Sequence, residues 1–385
     1  MKEKVVALVK GDGVGPETIE ETVKIVREAA KKDNMNIIFQ ETPMGWNAYK
    51  KYGDTLPPES FKNAVEIGTI LFGGVGNPEF DKTIGVEKPE MKPEGRCLLS
   101  LRKTMGLLAN IRPMFYHKEL AHLSKVREEF IPKNGIKQIW FRYLLEDSYF
   151  GNEDLMKFFS EEVCKKLGIK LKKDVRGDEE IITDIAYFNK VTFEKYIRAA
   201  FAYAKSQGLP LISVDKANVM SRYEFWRKNV IRIGKAEFPD VPLTNQYVDS
   251  ANALLFTPAK LHGVIACGNE HGDILSDGAA EAAGGIGIMC SSSINLDDGK
   301  ALFESGAGTA PTLAGLNIVN PIGRISAGSM MLQHIGCVNG SKAIDDAVKK
   351  VLVLGYRTKD LATRKTPKEK ILGTREMSQR IYFLL

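Results

Sequence analysis

Apolar and polar positions follow two different periods along the N-terminal part of the chain. The run VVALV (residues 5–9) is continuously apolar, and the pattern TIEETVKIVREAAKK that begins at Thr18 has helical spacing. Continuous β-branched runs favour buried strands, whereas apolar residues three and four apart favour amphipathic helices. The segment therefore predicts a strand, a glycine turn with the sequence KGDGVGPE, and a helix that begins near Pro16.

Later apolar runs repeat this alternation. They predict strands at NIIFQE, GTILFGGVG (residues 68–76), KQIWF, LPLISVD and GVIAC, and a closing amphipathic helix at AIDDAVKKVLVLGY. Strands that alternate with helices are typical of an α/β layer with a largely parallel sheet. We find no internal repeat and no low-complexity linker, and the length of 385 residues allows two domains or one large domain with a deep cleft.

Charge and composition exclude several classes of partner. The 54 Lys and Arg residues alternate with 48 Asp and Glu residues along most of the chain, so we expect no nucleic-acid partner. No apolar stretch approaches the length that spans a membrane, and the start MKEKVVALVKG resembles a strand rather than a signal peptide. We therefore expect neither a membrane nor a secretory destination.

The five cysteines are scattered and odd in number, and none forms a CxxC pair. They are Cys97, Cys164, Cys267, Cys290 and Cys337. This usage disfavours a disulfide framework or a zinc site and favours a reducing cytoplasm.

Asp273 and Asp277 lie one helical turn apart in GNEHGDILSD (residues 268–277), directly after the strand predicted at GVIAC. Acidic residues near a helix start stabilise the helix dipole, which is one interpretation of the pair. The other is that both carboxylates face the same way and hold a divalent metal. The pattern alone does not choose between them.

The glycine loop GDGVGP also allows two interpretations. A Rossmann dinucleotide site needs G-x-G-x-x-G and an acidic residue after the second strand. Here the third glycine comes one residue early and a proline follows it, although Glu41 ends the predicted second strand. A tight strand-to-helix turn is the better interpretation of the loop on its own.

Eight stretches in a fixed order extend the picture to nearly the whole chain. They are GDGVGPE (11–17), LLSLRKTMGLLANIRP (98–113), YFG (149–151), SVDKANV (213–219), YVDSAN (247–252), NEHGDILSD (269–277), GTAPTLAG (308–315) and NP (320–321). Together they resemble the metal-dependent β-decarboxylating dehydrogenases, the isopropylmalate and isocitrate dehydrogenase family.

The resemblance implies a two-domain α/β fold with a mostly parallel central sheet and no Rossmann nucleotide site. Both chain ends, residues 1–108 and 284–385, would form the first domain on the cofactor side. Residues 109–283 would form the second domain, with the metal and substrate site and the dimer interface. It also implies a homodimer with shared active sites, or a tetramer built from such dimers.

The resemblance also assigns substrate and metal residues. Arginines would clamp a 2-hydroxy dicarboxylic acid, since the guanidinium fork binds a carboxylate with two hydrogen bonds. The clamp residues are Arg102, Arg112 and Arg142, and the residues that read the third substituent are Leu98 and Leu99. The ligands of Mg²⁺ or Mn²⁺ are Asp273 and Asp277 with Asp249 of a second subunit. His271, beside the pair, is expected to be a surface or packing residue.

Two residues resemble the acid–base pair of the family. Tyr149 would protonate the enolate, and Lys216 would act as the base, directly or through a water. In the family, the residues equivalent to Lys216 and Asp249 act in the partner's site. Leucines at positions 98 and 99 favour an apolar substituent, whereas Arg96 just upstream could instead meet an anionic one.

The cofactor implied is NAD or NADP. The residues that would bind it are Val14, Glu94, Gly287, Glu304, Gly308, Ala310, Thr312 and Asn320. Ala307 stands where the family usually carries a histidine that packs on adenine. Thr312 stands where NAD-type members carry an aspartate and NADP-type members a lysine, so the choice of cofactor stays open.

A third departure lies in RYLLEDSY, between Arg142 and Tyr149. The family has an acidic residue after the arginine and a glycine pair before the tyrosine, where this chain has Tyr143, Glu146 and Asp147.

The function implied is oxidative decarboxylation of a 3-substituted malate, most similar to isopropylmalate. Three alternatives are a tartrate-like substrate, a phosphonate-bearing hydroxy acid, and a catalytically weak regulatory subunit of an isocitrate dehydrogenase-type complex. Regulatory members usually lose clamp or metal residues, which this chain keeps. A P-loop protein is disfavoured, since the chain lacks G-x-x-x-x-G-K-[ST].

Overall fold

The computed structural model describes residues 1–150 and 185–385, so Cys164 and the glycine of the YFG motif lie outside the described residues. Its strands are β1 Lys2–Val9, β2 Met35–Glu41, β3 Thr69–Phe72, β4 Ala109–Tyr116, β5 Ile136–Tyr143, β6 Leu211–Asp215, β7 Leu243–Tyr247, β8 Gly263–Cys267, β9 Cys290–Ile294 and β10 Ala301–Ser305.

The described helices cover both faces of these strands. They are α1 Gly15–Ala30, α2 Trp46–Tyr52, α3 Pro58–Ile67, α4 Pro78–Lys82, α5 Ile84–Glu87, α6 Ser100–Thr104, α7 Lys190–Gln207, α8 Ser221–Glu237, α9 Val248–Leu254, α10 Asn269–Ala283, α11 Ile322–His334, α12 Val338–Val353 and α13 Thr374–Tyr382. A single π-helical turn, Glu94–Leu99, leads into α6. Among the described residues, none of the helices has the length and apolar character needed to cross a lipid bilayer.

The described strands form one sheet in the order β2, β1, β3, β10, β9, β4, β5, β8, β6 and β7. Both outer portions of the sheet are parallel, and the pairs β10–β9, β9–β4 and β4–β5 in the middle are antiparallel. The prediction of a mostly parallel α/β sheet is confirmed. The domain boundaries at residues 108/109 and 283/284 stay a prediction.

The continuous apolar runs reflect burial on both faces of the sheet. In β1, Val6 and Leu8 pack into a core with α1, α11 and α12, whereas Ala7 and Val9 pack into a core with α3 and α6. A parallel strand that is covered by helices on both sides needs apolar side chains at every position. The strands predicted at VVALV, NIIFQE, KQIWF, LPLISVD and GVIAC are present, and the run at 68–76 forms a strand only as far as Phe72.

The antiparallel middle of the sheet positions the site. In the register of β4 and β5, Arg112 lies opposite Trp140 and Asn110 lies opposite Arg142, so the two arginines project on the same face, two positions apart. Strand β8 pairs with β5 and ends at Cys267, and α10 begins two residues later. Helix α10 packs across β4 and β5, which brings its aspartates to the arginines.

Candidate active site

Arg142 is the most deeply buried cation of the site, with 1% of its surface exposed. Its Nε donates to Asn269 Oδ1 at 2.8 Å, and its Nη1 contacts Asp273 Oδ1. The Nη2 atom of Arg142 and the Nε atom of Arg102 are buried and find no hydrogen-bond acceptor in the part of the chain that the structure describes. Buried donors without acceptors at a cleft suit an anionic ligand, because a bound carboxylate would satisfy them.

Arg112 joins both aspartates of α10. Its Nη2 donates to Asp273 Oδ1 at 3.1 Å, and its Nη1 donates to Asp277 Oδ1 at 2.9 Å. The same Nη1 donates to Ser276 Oγ at 2.7 Å, and its Nε donates to Asn110 Oδ1 at 2.8 Å. The one-turn spacing of Asp273 and Asp277 therefore places both carboxylates on one face of α10, as the sequence predicted.

Tyr149 completes this group of side chains. Its phenol donates to Asp273 Oδ2 at 2.8 Å, and the Arg142 guanidinium lies 5.3 Å from the centroid of its ring. Burial, the hydrogen bond to Asp273 and the charge of Asp273 raise the pKa of Tyr149 to about 12. The phenol therefore carries its proton at neutral pH. Arg112, Arg142, Tyr149, Asp273 and Asp277 are called the Asp273 cluster below.

The two aspartates of the cluster have pKa values that move in opposite directions. Burial acts to raise the pKa of Asp273, but Arg142, Arg112 and the Tyr149 hydrogen bond together bring it below its ordinary value. Burial raises the pKa of Asp277, and the charge of Asp273 adds to the rise, while Arg112 opposes it. Burial, and then repulsion from Arg112, lowers the pKa of Arg142 to about 9. These shifts describe a crowded set of charges with a surplus of cations around Asp273.

The third predicted clamp arginine lies on helix α6, which packs against the part of the sheet formed by β1, β3 and β10. Arg102 is buried, and its Nη2 bonds Glu304 Oε1 of β10 at 3.0 Å. The charge of Arg102 reaches the cluster, since it contributes to lowering the pKa of Asp273. Leu98 is partly buried and packs against the apolar core beneath α6.

The guanidinium charge of Arg96 is already paired with a carboxylate of the same chain. Its guanidinium binds Asp54 as a fork, with Nε–Oδ1 at 3.1 Å and Nη2–Oδ2 at 3.0 Å. Burial opposes the effect, but the Arg96 hydrogen bond and a backbone donor bring the pKa of Asp54 below its ordinary value. The anionic-substituent role considered for Arg96 therefore competes with an ion pair inside the protein.

Lys216 and Asp249, called the Lys216 pair below, bind each other through Nζ and Oδ2. The side chain of Asp249 is 66% exposed, and neither residue makes a hydrogen bond or ion pair to Asp273 or Asp277 within the described chain. Hydrogen bonding to Lys216 lowers the pKa of Asp249. A single subunit thus does not join the third predicted metal ligand to the other two, as expected if that residue acts in a partner's site.

The glycine loop packs against the loop that follows β10. The Val14 N–H donates to Thr309 O at 2.8 Å, and a Cβ atom on Gly13 would lie 1.9 Å from the same oxygen. Gly13 also has φ +56°, a conformation that side chains disfavour. Glu41, which a Rossmann site would use for the ribose, instead pairs with Lys10 at 2.7 Å.

Asp12 fastens three loops around the glycine turn. Its carboxylate accepts N–H groups from Trp46 at 3.0 Å, Asn47 at 2.8 Å and Gly76 at 2.8 Å. Burial raises the pKa of Asp12, although these three donors act against the rise. The loops leave open space beside Gly76 and Gly308, where a Cβ atom would meet nothing within 4 Å. The glycine turn is thus held by these hydrogen bonds and borders open space at Gly76 and Gly308.

The remaining predicted cofactor residues fall into two groups. Asn320 Nδ2 donates to Asp360 Oδ2 at 3.0 Å, and Gly287 packs against both, since its Cβ would lie 2.7 Å from that oxygen. Glu94 and Thr312 are exposed, and Ala310 adopts a left-handed conformation with φ +35°. Val14, Gly308 and Ala310 therefore lie where the glycine loop meets the loop after β10. Gly287 and Asn320 form a second group, in which the two residues pack against each other.

The side chains present also fit a divalent cation. The Asp273 cluster offers carboxylate oxygens, which are the ligands that Mg²⁺ and Mn²⁺ prefer. No three His, Cys, Asp or Glu side chains of one chain come together as a metal site within residues 1–150 and 185–385. Asp249 of a second subunit is the third ligand that the family resemblance implies beside Asp273 and Asp277, and this ligand set stays a prediction.

Two residues of the site were not predicted from the sequence. Asn269 holds the Arg142 guanidinium and also donates to Leu144 O at 2.7 Å and Glu146 O at 3.1 Å. Ser276 accepts from Arg112. Ser276 follows Asp273 by three residues, so its place on the same helical face was available from the spacing. His271 stacks on Tyr223 at 4.9 Å, which makes it a packing residue as expected.

The substituted segment before Tyr149 is tied into the fold. Tyr143 is fully buried among aromatic rings, and its hydroxyl donates to Thr192 Oγ1 at 2.8 Å. The Glu146 carboxylate accepts the Asn189 N–H at 2.6 Å, next to the start of α7. Asp147 is fully buried as well. Tyr143, Glu146 and Asp147, the three residues that depart from the family pattern in this segment, are therefore all buried within the fold.

Comparisons with known proteins agree with this geometry. The family profile described as isocitrate/isopropylmalate dehydrogenase matches residues 5–381. The 3-isopropylmalate dehydrogenase of Chromobacterium violaceum is 36% identical over 357 residues, which cover 92% of this chain and 94% of that protein. The enzyme of the same name from Thermotoga maritima is 35% identical over 378 residues, covering 98% of this chain and 97% of that protein.

Solved structures show the same fold. Isocitrate dehydrogenase from Methylococcus capsulatus superposes with a TM-score of 0.79 at 26% identity and covers 99% of each chain. A β-decarboxylating dehydrogenase from Thermococcus kodakarensis, in its apo form, gives a TM-score of 0.74 at 29% identity and covers 99% of this chain and 96% of that one. Members of the matched family generally depend on NAD(P) and a divalent metal. The chain belongs to the isocitrate/isopropylmalate dehydrogenase family and is an oxidoreductase, a β-decarboxylating dehydrogenase.

Proposed function

We propose that this enzyme catalyses the NAD(P)-dependent, divalent-metal-dependent oxidative decarboxylation of a 3-substituted malate, with isopropylmalate as the leading substrate. The observation that carries the proposal is the Asp273 cluster, where two buried arginines and two aspartates meet on one face of the sheet. The cations suit the two carboxylates of a malate, and the aspartates suit the metal that binds its hydroxyl and carboxylate oxygens.

An apolar third substituent is favoured over an anionic one. Arg96 is the cation nearest in sequence to Leu98 and Leu99, and Asp54 neutralises it through two hydrogen bonds. An anionic substituent would have to compete with Asp54 for that guanidinium, whereas an isopropyl group would need only the leucine side chains. The curated relatives named 3-isopropylmalate dehydrogenase support the same choice.

The residues of the chain divide the chemistry between them. Arg112, Arg142 and Arg102 hold the substrate, and Lys216 of the second subunit accepts the hydroxyl proton, directly or through a water. When bound, NAD(P) would supply the hydride acceptor for C2, and a divalent cation would supply positive charge beside the substrate oxygens. After carbon dioxide leaves, Tyr149 donates its proton to C3. A phenol with a pKa of about 12 is protonated at neutral pH, which this role requires.

The proposal includes a homodimer with shared sites. Asp249 and Lys216 make no hydrogen bond or ion pair to Asp273 or Asp277 of their own chain within the described residues. Two large apolar side chains are exposed: Phe256 is 72% exposed just after α9, the helix that carries Asp249, and Ile274 is 65% exposed on α10. Helices α9 and α10 are in contact. Exposed apolar surface of this kind is typical of a subunit interface. Association through this surface would bring the Lys216 pair to the partner's Asp273 cluster.

An absorbance assay at 340 nm tests the proposal. The enzyme is supplied with Mg²⁺ or Mn²⁺, with NAD or NADP, and with a panel of acids: isopropylmalate, isocitrate, unsubstituted malate, tartrate and a phosphonate-bearing hydroxy acid. We expect isopropylmalate to give the highest kcat/KM, with chelation by EDTA removing the activity. A preference for tartrate or the phosphonate would replace the substrate assignment while keeping the reaction class.

The panel also tests the regulatory alternative. A catalytically weak subunit would reduce neither cofactor with any acid in the panel. The intact clamp, the paired aspartates and the protonated Tyr149 argue against that result. The same assay measures the cofactor preference. The sequence leaves that preference open, because Thr312 is neither the aspartate of NAD-type members nor the lysine of NADP-type members, and Ala307 replaces the histidine that packs on adenine.

A further inference from the structure

The loop that carries Tyr149 (residues 144–150, called the Tyr149 loop) is fastened along one side to α10. Asn269 donates to the carbonyl oxygens of Leu144 and Glu146, and Ser148 Oγ donates to Glu270 Oε2 at 3.0 Å. Asn269 and Glu270 are the first two residues of α10, which also carries Asp273. One side of the Tyr149 loop is thus hydrogen-bonded to the start of α10, the helix that carries Asp273.

The opposite side of the loop is held by Asp147, whose side chain is completely buried. Its Oδ1 lies 3.3 Å from Arg222 Nε of α8, and its Oδ2 accepts the Tyr223 hydroxyl at 3.3 Å. Its backbone N–H donates to Tyr187 O at 3.1 Å. Helix α8 therefore binds the loop through a charged contact two residues before Tyr149.

Asp147 combines two unfavourable features. Its φ of +74° lies in the left-handed region, which costs a non-glycine residue energy, and its carboxylate is removed from water. Each such feature persists only where the surrounding structure compensates for it, and such features concentrate at functional sites. The Tyr223 hydrogen bond and the charge of Arg222 offset part of this cost, although Asp147 Oδ1 and Arg222 Nε, 3.3 Å apart, form no hydrogen bond with each other or with other described residues.

The space around the carboxylate is filled. A Cβ atom on Gly268 would lie 2.7 Å from Asp147 Oδ2 and 2.5 Å from the Tyr223 hydroxyl, so only glycine fits at the residue before α10. On its other side, the Tyr223 ring stacks on His271 of α10. Asp147 thus sits where the loop, α8 and the start of α10 meet.

We propose that Asp147 is a positioning residue for Tyr149: its ion pair with Arg222 holds the loop in the left-handed turn that directs the phenol to Asp273. The inference rests on the proposed function, in which Tyr149 donates the proton to C3. The Tyr149 hydroxyl lies 2.8 Å from Asp273 Oδ2, so a loop displaced by 1 Å would break this contact. Misplacement of a reacting group on that scale lowers turnover by up to about 100-fold.

The first test compares Asp147→Asn with the parent enzyme in the isopropylmalate assay. Asparagine tolerates the left-handed conformation and keeps the shape of aspartate, so the variant removes the charge alone. We expect kcat to fall by about tenfold or more and KM to change by less than about threefold, because Asp147 acts on the proton donor and not on substrate binding. Arg222→Gln should give the same pattern.

The double variant D147N/R222Q tests whether the charges matter as a pair. Either single substitution already removes the ion pair, so we expect kcat of the double variant to fall no further than that of the more impaired single variant; additive losses would show that the two charges do not act as a pair. Arg198→Gln is the matched control, since Arg198 of α7 forms a forked ion pair with Glu237 of α8, at 2.7 and 2.9 Å, away from the Tyr149 loop. The control should leave kcat unchanged.

A second measurement asks whether Asp147 acts through Tyr149. In a Tyr149→Phe background the phenol is absent, so adding D147N should lower the residual kcat by less than about twofold. An undiminished further loss would show that Asp147 affects turnover by another route and would overturn the inference.

Hydrogen–deuterium exchange of the loop peptides gives a readout that needs no substrate. We expect D147N and R222Q to speed exchange in residues 144–150, the double variant to exchange as fast as the single variants, and R198Q to have no effect. Equal exchange in D147N and in the control overturns the inference, whether or not the parent turns over any acid. A parent enzyme inactive on the whole acid panel would instead overturn the proposed function.

Discussion

The Asp273 cluster and the Lys216 pair carry the same kinds of charged group but are built in opposite ways. In the cluster, every carboxylate meets an arginine from β4 or β5, and each guanidinium makes several hydrogen bonds. In the pair, one lysine meets one aspartate at an exposed surface. The carboxylates of the cluster are paired with arginines of their own chain, where cations are in surplus, whereas the carboxylate of the pair is mostly exposed.

Under the proposed dimer, this contrast explains how each subunit can fold before it meets its partner. Buried arginines need anions in the same chain, because an unpaired buried charge is strongly destabilising. Exposed groups lose little by waiting for a partner, since water solvates them. Residues that act in their own subunit can therefore be buried before association, and residues that act in the partner must stay accessible.

Asp273→Asn should break the cluster most severely. It removes a metal oxygen and one anion that balances Arg112 and Arg142, so we expect kcat with Mn²⁺ to fall on the order of 1000-fold. Circular dichroism should show the same helix content as the parent. Calorimetric titration with MnCl₂ checks the cause, and unchanged turnover in a folded variant would remove the metal assignment.

Mixing two inactive variants should restore activity if the sites are shared. A dimer of one D273N subunit and one Lys216→Met subunit contains one site with both native residues. Random reassociation of equal amounts would therefore recover about a quarter of the parent activity. The measurement is kcat after co-refolding the two variants. D273N mixed with Tyr149→Phe is the control, and it should recover none, because both residues belong to the same cluster.

Phe256→Asp should separate the subunits. A carboxylate in an apolar interface is desolvated without a partner, so we expect the dimer dissociation constant to rise by at least about tenfold. Light scattering across a dilution series measures the change, with activity falling in parallel. Phe383→Asp is the matched control, because Phe383 is 79% exposed at the other end of the chain. Equal masses for the two variants would place the interface elsewhere.

Ser276→Ala should give the smallest change, within the cluster. It removes one acceptor from Arg112 Nη1, at 2.7 Å, while the contacts to Asp273 and Asp277 stay. Loss of such a hydrogen bond costs about 1 kcal/mol, which corresponds to roughly a fivefold rise in KM for isopropylmalate. Ser329→Ala is the control, since Ser329 is a buried serine of α11 whose hydroxyl is hydrogen-bonded to residues of α12. A KM equal to that of the control would mean that Ser276 does not support the clamp.

Local sequence patterns determined much of this protein. Continuous apolar runs fixed the strands that are buried on two faces, and the four-residue spacing of Asp273 and Asp277 fixed that both carboxylates lie on one face of a helix. The ordered motifs identified the family, which the comparisons confirm. Each of these features depends on residues near one another in the chain, where helix and strand geometry suffices for inference.

Only the tertiary structure decided which charges meet. Arg142 and Asp273 are 131 residues apart, and Arg96 and Asp54 are 42 residues apart, so their pairing depends on strand order and loop paths that no local period encodes. The same holds for Asp147 and Arg222, and for the absence of a bond between Asp249 and the aspartates of the Asp273 cluster within the described chain. The antiparallel middle of the sheet was also invisible to the alternation of strands and helices, because the direction of a strand is set by its neighbours in space.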